Sequence, residues 1–373
     1  MEGHPLWEEK ESEDVQKAIA YLLAHGIEGI ADAPDYVRGR ALFEALLKRS
    51  LALRHEDPAE MVTFARWAVM AVRSLAKEGY EAQDMADFHC RAWMELANAH
   101  RVADSIAFAE NAMNVAQDHY CKGTKNDALT ARFLTLQASL QGDLRQFELA
   151  STALDVVAMI QRRQGEDHLA GRALIKKGLY LSYSGRSEEA LKVIREGMAL
   201  INREKDPSLY FAAVQNEARA LKDCGRLKEA RLVLWANLQR QEAAGGRLNL
   251  LKLQWLEGEI NVGLGELERA GRSFLMVKQG FEEAGMVYTA SVVSLDLAAV
   301  WLDQGRAFEA RALACEAAEV FLSLRIHREA MTAVMILQKC FETERATARL
   351  IKSVADYLRE SERDKTARFT PVF

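Results

Sequence analysis

The sequence predicts an all-α fold, a solenoid of stacked antiparallel helical hairpins, and three observations carry that prediction. Alanine and leucine dominate, while 373 residues hold only 5 prolines and 22 glycines, too few turn residues for a sandwich of many short strands. Glycine and alanine recur along the chain at one fixed spacing. Apolar positions recur at the same spacing, as the shared core of stacked repeats requires. The 49% hydrophobic and 28% charged content is that of a folded globular chain, which excludes wholesale disorder.

The repeat is read from four similar segments, SGRSEEA, CGRLKEA, LGELERA and QGRAFEA. They place glycine at Gly185, Gly225, Gly265 and Gly305, and alanine at Ala190, Ala230, Ala270 and Ala310, a step of 40 residues each time. One step earlier stands RQFELA, which keeps the alanine as Ala150 and has Arg145 where glycine would be. A second register, Ala138, Gly178, Ala218, Gly258 and Ala298, holds only alanine or glycine. A third, Leu154, Ile194, Leu234, Phe274 and Ala314, is apolar throughout.

One unit follows from these positions. A first helix over 167–184 carries Gly178, whose missing side chain admits a neighbouring helix. Gly185 ends that helix in a left-handed cap. A short turn leads to a second helix, where Ala190 again permits close approach and Ile194 fills the shared core. Such a hairpin cannot bury both of its apolar faces alone, so units must stack.

A small residue in the first helix, a glycine turn, and alanine twelve positions after the small residue (178 to 190) resemble the tetratricopeptide repeat family. The resemblance is clear over residues 126–342. The usual repeat is about 34 residues; this longer one is similar to arrays in bacterial regulatory proteins, and the added residues imply longer helices. The resemblance implies a right-handed superhelix with first helices lining a concave groove. The family's proline near the end of the second helix is missing from most units, although Pro207 begins one first helix. No helix-turn-helix accompanies the array.

The N-terminal third reads as less regular hairpins. Residues 36–54 and 58–78 form one pair around Asp57-Pro58, and 84–99 with 103–120 form another around Asn98-Ala99-His100; a short helix over 13–24 ends at Gly26 and caps the first repeat. At the other end, 326–341 and 343–361 form a closing pair before the tail RDKTARFTPVF. The expected organisation is therefore 1–125 for the degenerate repeats and cap, 126–325 for five in-phase repeats, 326–362 for the closing pair and 363–373 for a disordered tail.

Several functions are disfavoured by composition. A net charge of −5 lacks the basic surplus of a protein built to grip phosphates, so no direct nucleic-acid binding is expected. The apolar stretch from Gly285 to Leu295 is well short of a membrane span. MEGHPLWEEKESED lacks the regions of a signal peptide, and Cys90, Cys121, Cys224, Cys315 and Cys340 include no C-x-x-C pair. A reduced, cytoplasmic protein is the expectation.

No phosphate loop, zinc helix or nucleophile elbow is present. Gly263-Leu264-Gly265 reads as a helix cap. His89-Cys90 and His119-x-Cys121 offer metal-ligand types without a standard spacing, and half-buried packing is the simpler reading. Most of Trp7, Trp67, Trp93, Trp235, Trp255 and Trp301 read as packing residues, with Trp255 set apart by its place three residues before Gly258. No catalytic group, metal or cofactor is expected.

The resemblance implies ligand contacts near the starts and middles of first helices. Carried onto this sequence, those positions are Arg132, Arg172, Lys176, Asn216, Arg219, Lys252 and Trp255, of which five are basic. The family's carboxylate-gripping variant uses Lys, Asn and Arg; only Asn216 and Lys252 stand where that variant has them. A solvated charged face is the alternative for the same residues. The expected function is a non-enzymatic protein- or peptide-binding adaptor or regulatory subunit, whose partner carries acidic and apolar residues. The alternative is a sensor whose superhelix changes when a signalling peptide or small effector binds.

Overall fold

The computed structural model describes residues 13–26, 39–75, 79–244, 246–324, 345–363 and 367–370, with single positions between 330 and 341. Among the described residues there are helices and turns and no strand. Two compact units divide the chain, Met1–Gly165 and Glu166–Phe373.

The first unit holds α1 (Glu13–His25), α2 (Arg40–Ala52), α3 (Pro58–Leu75), α4 (Ala82–Val102), α5 (Ile106–Lys122), α6 (Asp127–Asp143) and α7 (Phe147–Arg163). The second holds α8 (Asp167–Tyr183), α9 (Ser187–Leu200), α10 (Pro207–Asp223), α11 (Leu227–Ala244), α12 (Gly246–Gly263), α13 (Leu267–Glu283), α14 (Val287–Asp303), α15 (Ala307–Ser323) and α16 (Ala348–Arg363). Sequential helices pack as hairpins, and α10 touches α8, α9 and α12 as well as α11, so a first helix packs on both helices of the hairpin before it and also meets the next first helix.

The three sequence registers meet at one contact. A Cβ built on Gly178 of α8 would lie 2.3 Å from Ile194 Cγ1 and 3.2 Å from the Ala190 carbonyl. In the α12–α13 hairpin, the same position of Gly258 would meet the Phe274 ring at 2.5 Å. The glycine or alanine of each first helix is thus the seat for the apolar side chain sixteen residues on, and Ala138, Leu154, Ala218 and Leu234 are likewise buried.

Helix ends follow from local chemistry. Asn126 and Asp206 accept the Leu129 and Leu209 amides at 2.9 and 3.0 Å, capping α6 and α10, and Pro207 takes the first turn, where no amide donor is needed. At the end of α8, Gly185 lies at φ 78° and the Arg186 amide reaches back to Leu181 O at 2.9 Å, the bond pattern of a left-handed cap. Arg145 adopts the same conformation, φ 58°, in the unit that lost its glycine; its guanidinium lies 5.4 Å from the Phe147 ring.

Three boundaries differ from the sequence reading. The turn expected at Asn98-Ala99-His100 lies inside α4, because Asn98 and Ala99 are buried; the chain reverses instead at Ala103–Ser105, with Asp104 left-handed at φ 55°. Helix α16 starts later than expected, at Ala348, where the Thr347 hydroxyl accepts the Leu350 amide at 3.1 Å. The tail expected to be disordered contains an anchored stretch: the Tyr357 hydroxyl donates to Ala367 O at 3.0 Å, and its ring meets Phe369 at 5.3 Å.

Each unit has its own core. The first is built around Phe43, Phe64, Phe88, Met94 and Phe133. The second runs from Leu251 through Phe274, Phe281 and Leu297 to Leu350, Ile351, Val354 and Leu358 of α16.

Candidate functional site

The proposed contact residues all lie on first helices: Arg132 on α6, Arg172 and Lys176 on α8, Asn216 and Arg219 on α10, Lys252 and Trp255 on α12. Because first helices are direct neighbours, side chains one repeat apart can touch. Arg132 pairs with Glu95 of α4 at 2.6 Å, and Arg91 makes two 2.7 Å bonds to Glu44 of α2. In the second unit Lys222 of α10 meets Glu259 of α12 at 2.7 Å. The Trp255 indole N–H donates to Asp296 of α14, also at 2.7 Å.

In each unit taken by itself the charge on the first helices is therefore mixed, with carboxylates between the cations. Arg172 is exposed but pairs with Asp206 at 2.5 Å. Lys176 is half-buried, with its ammonium 5.9 Å from the Tyr180 ring. Asn216 and Arg219 are half-buried, and Lys252 is exposed. Lys176, Asn216, Arg219 and Lys252 come from three successive first helices of the second unit. Trp255 is half-buried and packs its edge against Phe281, 6.0 Å between centroids.

Sequence reasoning missed the densest part of this face. Asp296 has 1% of its side chain exposed and Glu259 has 11%. Their charges are met from α16: Lys352 lies 3.1 Å from Asp296 and 3.4 Å from Glu259, while Arg359 pairs with Asp296 and stacks 4.6 Å from the Trp255 ring. Burial alone would raise the Glu259 pKa, but Lys352, Lys222, Arg359 and Arg219 outweigh it and hold the carboxyl well below its ordinary range. Lys352 is raised: burial opposes its charge, and Asp296 and Glu259 overcome that. The only hint in sequence was Asp296 interrupting an apolar helix, and its partners lie 56 and 63 residues away.

The two histidine–cysteine pairs do converge in part. The His89 and His119 rings stack at 4.7 Å between α4 and α5, whereas Cys90 is buried in the core and Cys121 is exposed. Among the described residues, no group of three or more His, Cys, Asp or Glu side chains is placed to hold a metal ion. Trp67 is buried, Trp93 and Trp301 pack partly buried against the cores, and Trp235 is exposed; Trp7 and Cys340 lie outside the described residues. No described helix is long and apolar enough to cross a membrane.

No protein-family model matches the chain, and no curated protein does. Solved structures do. A Rap protein complexed with competence and sporulation factor superposes with a TM-score of 0.61 at 11% identity, over 86% of this chain and 87% of that one. The apo form of RapI gives 0.63 at 14% identity, over 86% and 87%. Aspartyl phosphate phosphatase F from Bacillus subtilis gives 0.55 at 15% identity, over 84% and 85%. A tetratricopeptide repeat protein from Parabacteroides merdae, at a TM-score of 0.51 and 16% identity over 80% of this chain and 98% of that one, has the same kind of helical repeat. The fold is that of tetratricopeptide-like helical-repeat proteins.

Proposed function

We propose that the chain is a non-enzymatic protein- or peptide-binding adaptor or regulatory subunit, which engages its partner along the first helices of the second unit. The observation that carries this reading is the mixed state of that face. Toward α16 its charges are neutralised by close pairs, with Arg219 among the cations that face Glu259, while Lys252 is exposed on α12 and half-buried Lys176 and Asn216 stand on α8 and α10. Neighbouring first helices pack about 8–10 Å apart, a spacing one extended segment can bridge. Lysine and arginine there favour acidic side chains or a terminal carboxylate, and the exposed part of the half-buried Trp255 ring gives an apolar neighbour. In this reading Arg172 contributes a secondary contact, because it would have to leave Asp206 to meet a ligand; Arg132, on the first unit, is not part of this surface.

The fold shared with a Rap protein crystallised with a bound factor supports a second reading in the same class. The chain would then be a regulator whose repeat stack changes when a signalling peptide or small effector binds. Small-angle scattering with and without a binding peptide separates the two: an adaptor keeps its radius of gyration, and a switching regulator changes it. Charge reversal tests the face itself. Lys176→Glu with Lys252→Glu should weaken binding of an acidic peptide more than tenfold with helicity retained. Unchanged affinity would move the site elsewhere.

A further inference from the structure

Between two second helices lies a cleft that none of the seven residues proposed above lines. It opens between α11 and α13, has α12 as its floor, and encloses about 390 Å³. Three large apolar side chains line it while staying exposed, Trp235 at 45%, Leu275 at 42% and Met276 at 55%. A lone exposed leucine means little, but three such side chains around one concavity are a recognisable interaction surface.

The cleft's polar groups show what kind of occupant suits it. The Trp235 indole N–H is bonded to Glu257 at 2.9 Å, and Arg231 sits 4.9 Å from its ring, so the ring is held in place before any ligand arrives. Glu266 is satisfied by Arg231 and Arg269, each at 2.7 Å. Both nearby carboxylates are therefore occupied. Arg272 is exposed on the rim, and among the described residues no carboxylate is paired with it. At the floor, Asn261 is buried and its carboxamide oxygen has no hydrogen-bond donor, an uncompensated polar atom of the kind seldom left in a finished core.

We propose that this cleft docks an amphipathic segment of another protein, which inserts a large apolar side chain between Trp235 and Met276 and pairs an adjacent Asp or Glu with Arg272. The rigid indole lowers the ordering cost of binding, and the surplus cation selects the charge beside the anchor. None of the seven first-helix contact residues lines this cleft, so it does not depend on that reading; together the two surfaces would let one chain hold two partners.

The test uses the full chain with ¹³C-methyl-labelled methionine. One probe is a synthetic amphipathic helical peptide with Phe and Leu on one face and Glu beside them; the other has Lys in place of Glu. The Met276 methyl resonance should shift with the acidic peptide, at an affinity at least tenfold above that of the basic one. Arg272→Glu should reverse the preference, and Met276→Glu, which removes the reporter methyl and is followed by calorimetric titration instead, should lose binding of both peptides, with helicity unchanged because both side chains are exposed. Equal affinity for the two peptides, or no shift with either, would overturn the proposal. So would light scattering that shows wild type as a dimer and Met276→Glu as a monomer, since the cleft would then serve a second copy of the chain.

Discussion

The Trp255 indole donates 2.7 Å to Asp296, joining α12 to α14, at a carboxylate that α16 also grips through Lys352 and Arg359. Removing one partner of such a buried set strands the remaining charges, which typically costs about 3–5 kcal/mol. Asp296→Ala should therefore destabilise the second unit strongly. Trp255→Phe, which leaves one bond of the acid unmade, should cost about 1–3 kcal/mol. Urea titration followed by circular dichroism ranks the two; equal small losses would mean the set contributes nothing.

The Glu259 carboxyl sits far below its ordinary range because four cations face it. A depressed carboxyl contributes stability above its unfolded pKa of about 4.3 and loses it as pH falls through the native value. Wild type should lose stability steeply from about pH 5 downward, and Glu259→Gln should be less stable at pH 7 with a flatter acid limb. Parallel pH profiles of the two melting temperatures would count against the assignment.

The stacked His89 and His119 make a second pH prediction. Burial, then His119 and Arg73, lower the His89 pKa; burial, then Lys122, lower that of His119, with Asp118 opposing. Both rings are favoured neutral in the native state, so the unfolded chain takes up more protons below about pH 6.5 and stability falls there. His119→Gln should reduce the drop in melting temperature between pH 7.5 and about 5.5. An undiminished drop would place its origin elsewhere.

Packing predictions test the register directly. Gly178→Leu and Gly258→Leu would drive side chains into Ile194 and Phe274, and overpacking of this kind costs about 1–3 kcal/mol. Ala312→Leu, at an exposed position of α15, should change stability by less than about 0.5 kcal/mol. Indistinguishable melting temperatures for the three variants would refute the shared seat.

These packing sites show what was readable beforehand. Gly178, Ala190 and Ile194 lie within sixteen residues on two adjacent helices, so their contact left a periodic trace in the sequence. Gly185 was legible for the same reason, since a left-handed cap is a local demand. The union of Glu259 and Asp296 with Lys352 and Arg359 was not. Ion pairs over such separations leave no period, and charged residues on a helix look alike whether solvated or buried. The anchored Phe369 was hidden for a related reason, because its contact with Tyr357 joins a helix residue to one twelve positions on, beyond the end of α16.

The central claim is that the first-helix face of the second unit binds an acidic protein segment. Its most direct test is calorimetric titration of the full chain with a peptide selected from a phage-displayed library of short random sequences. Wild type should select peptides with an acidic group beside an apolar residue. The Lys176→Glu, Lys252→Glu variant should bind them more than tenfold more weakly, a loss of at least about 1.4 kcal/mol, with salt weakening the wild-type complex as screened charges require. Wild-type affinity in the double variant, for peptides whose binding Arg272→Glu also leaves unchanged, would contradict the claim.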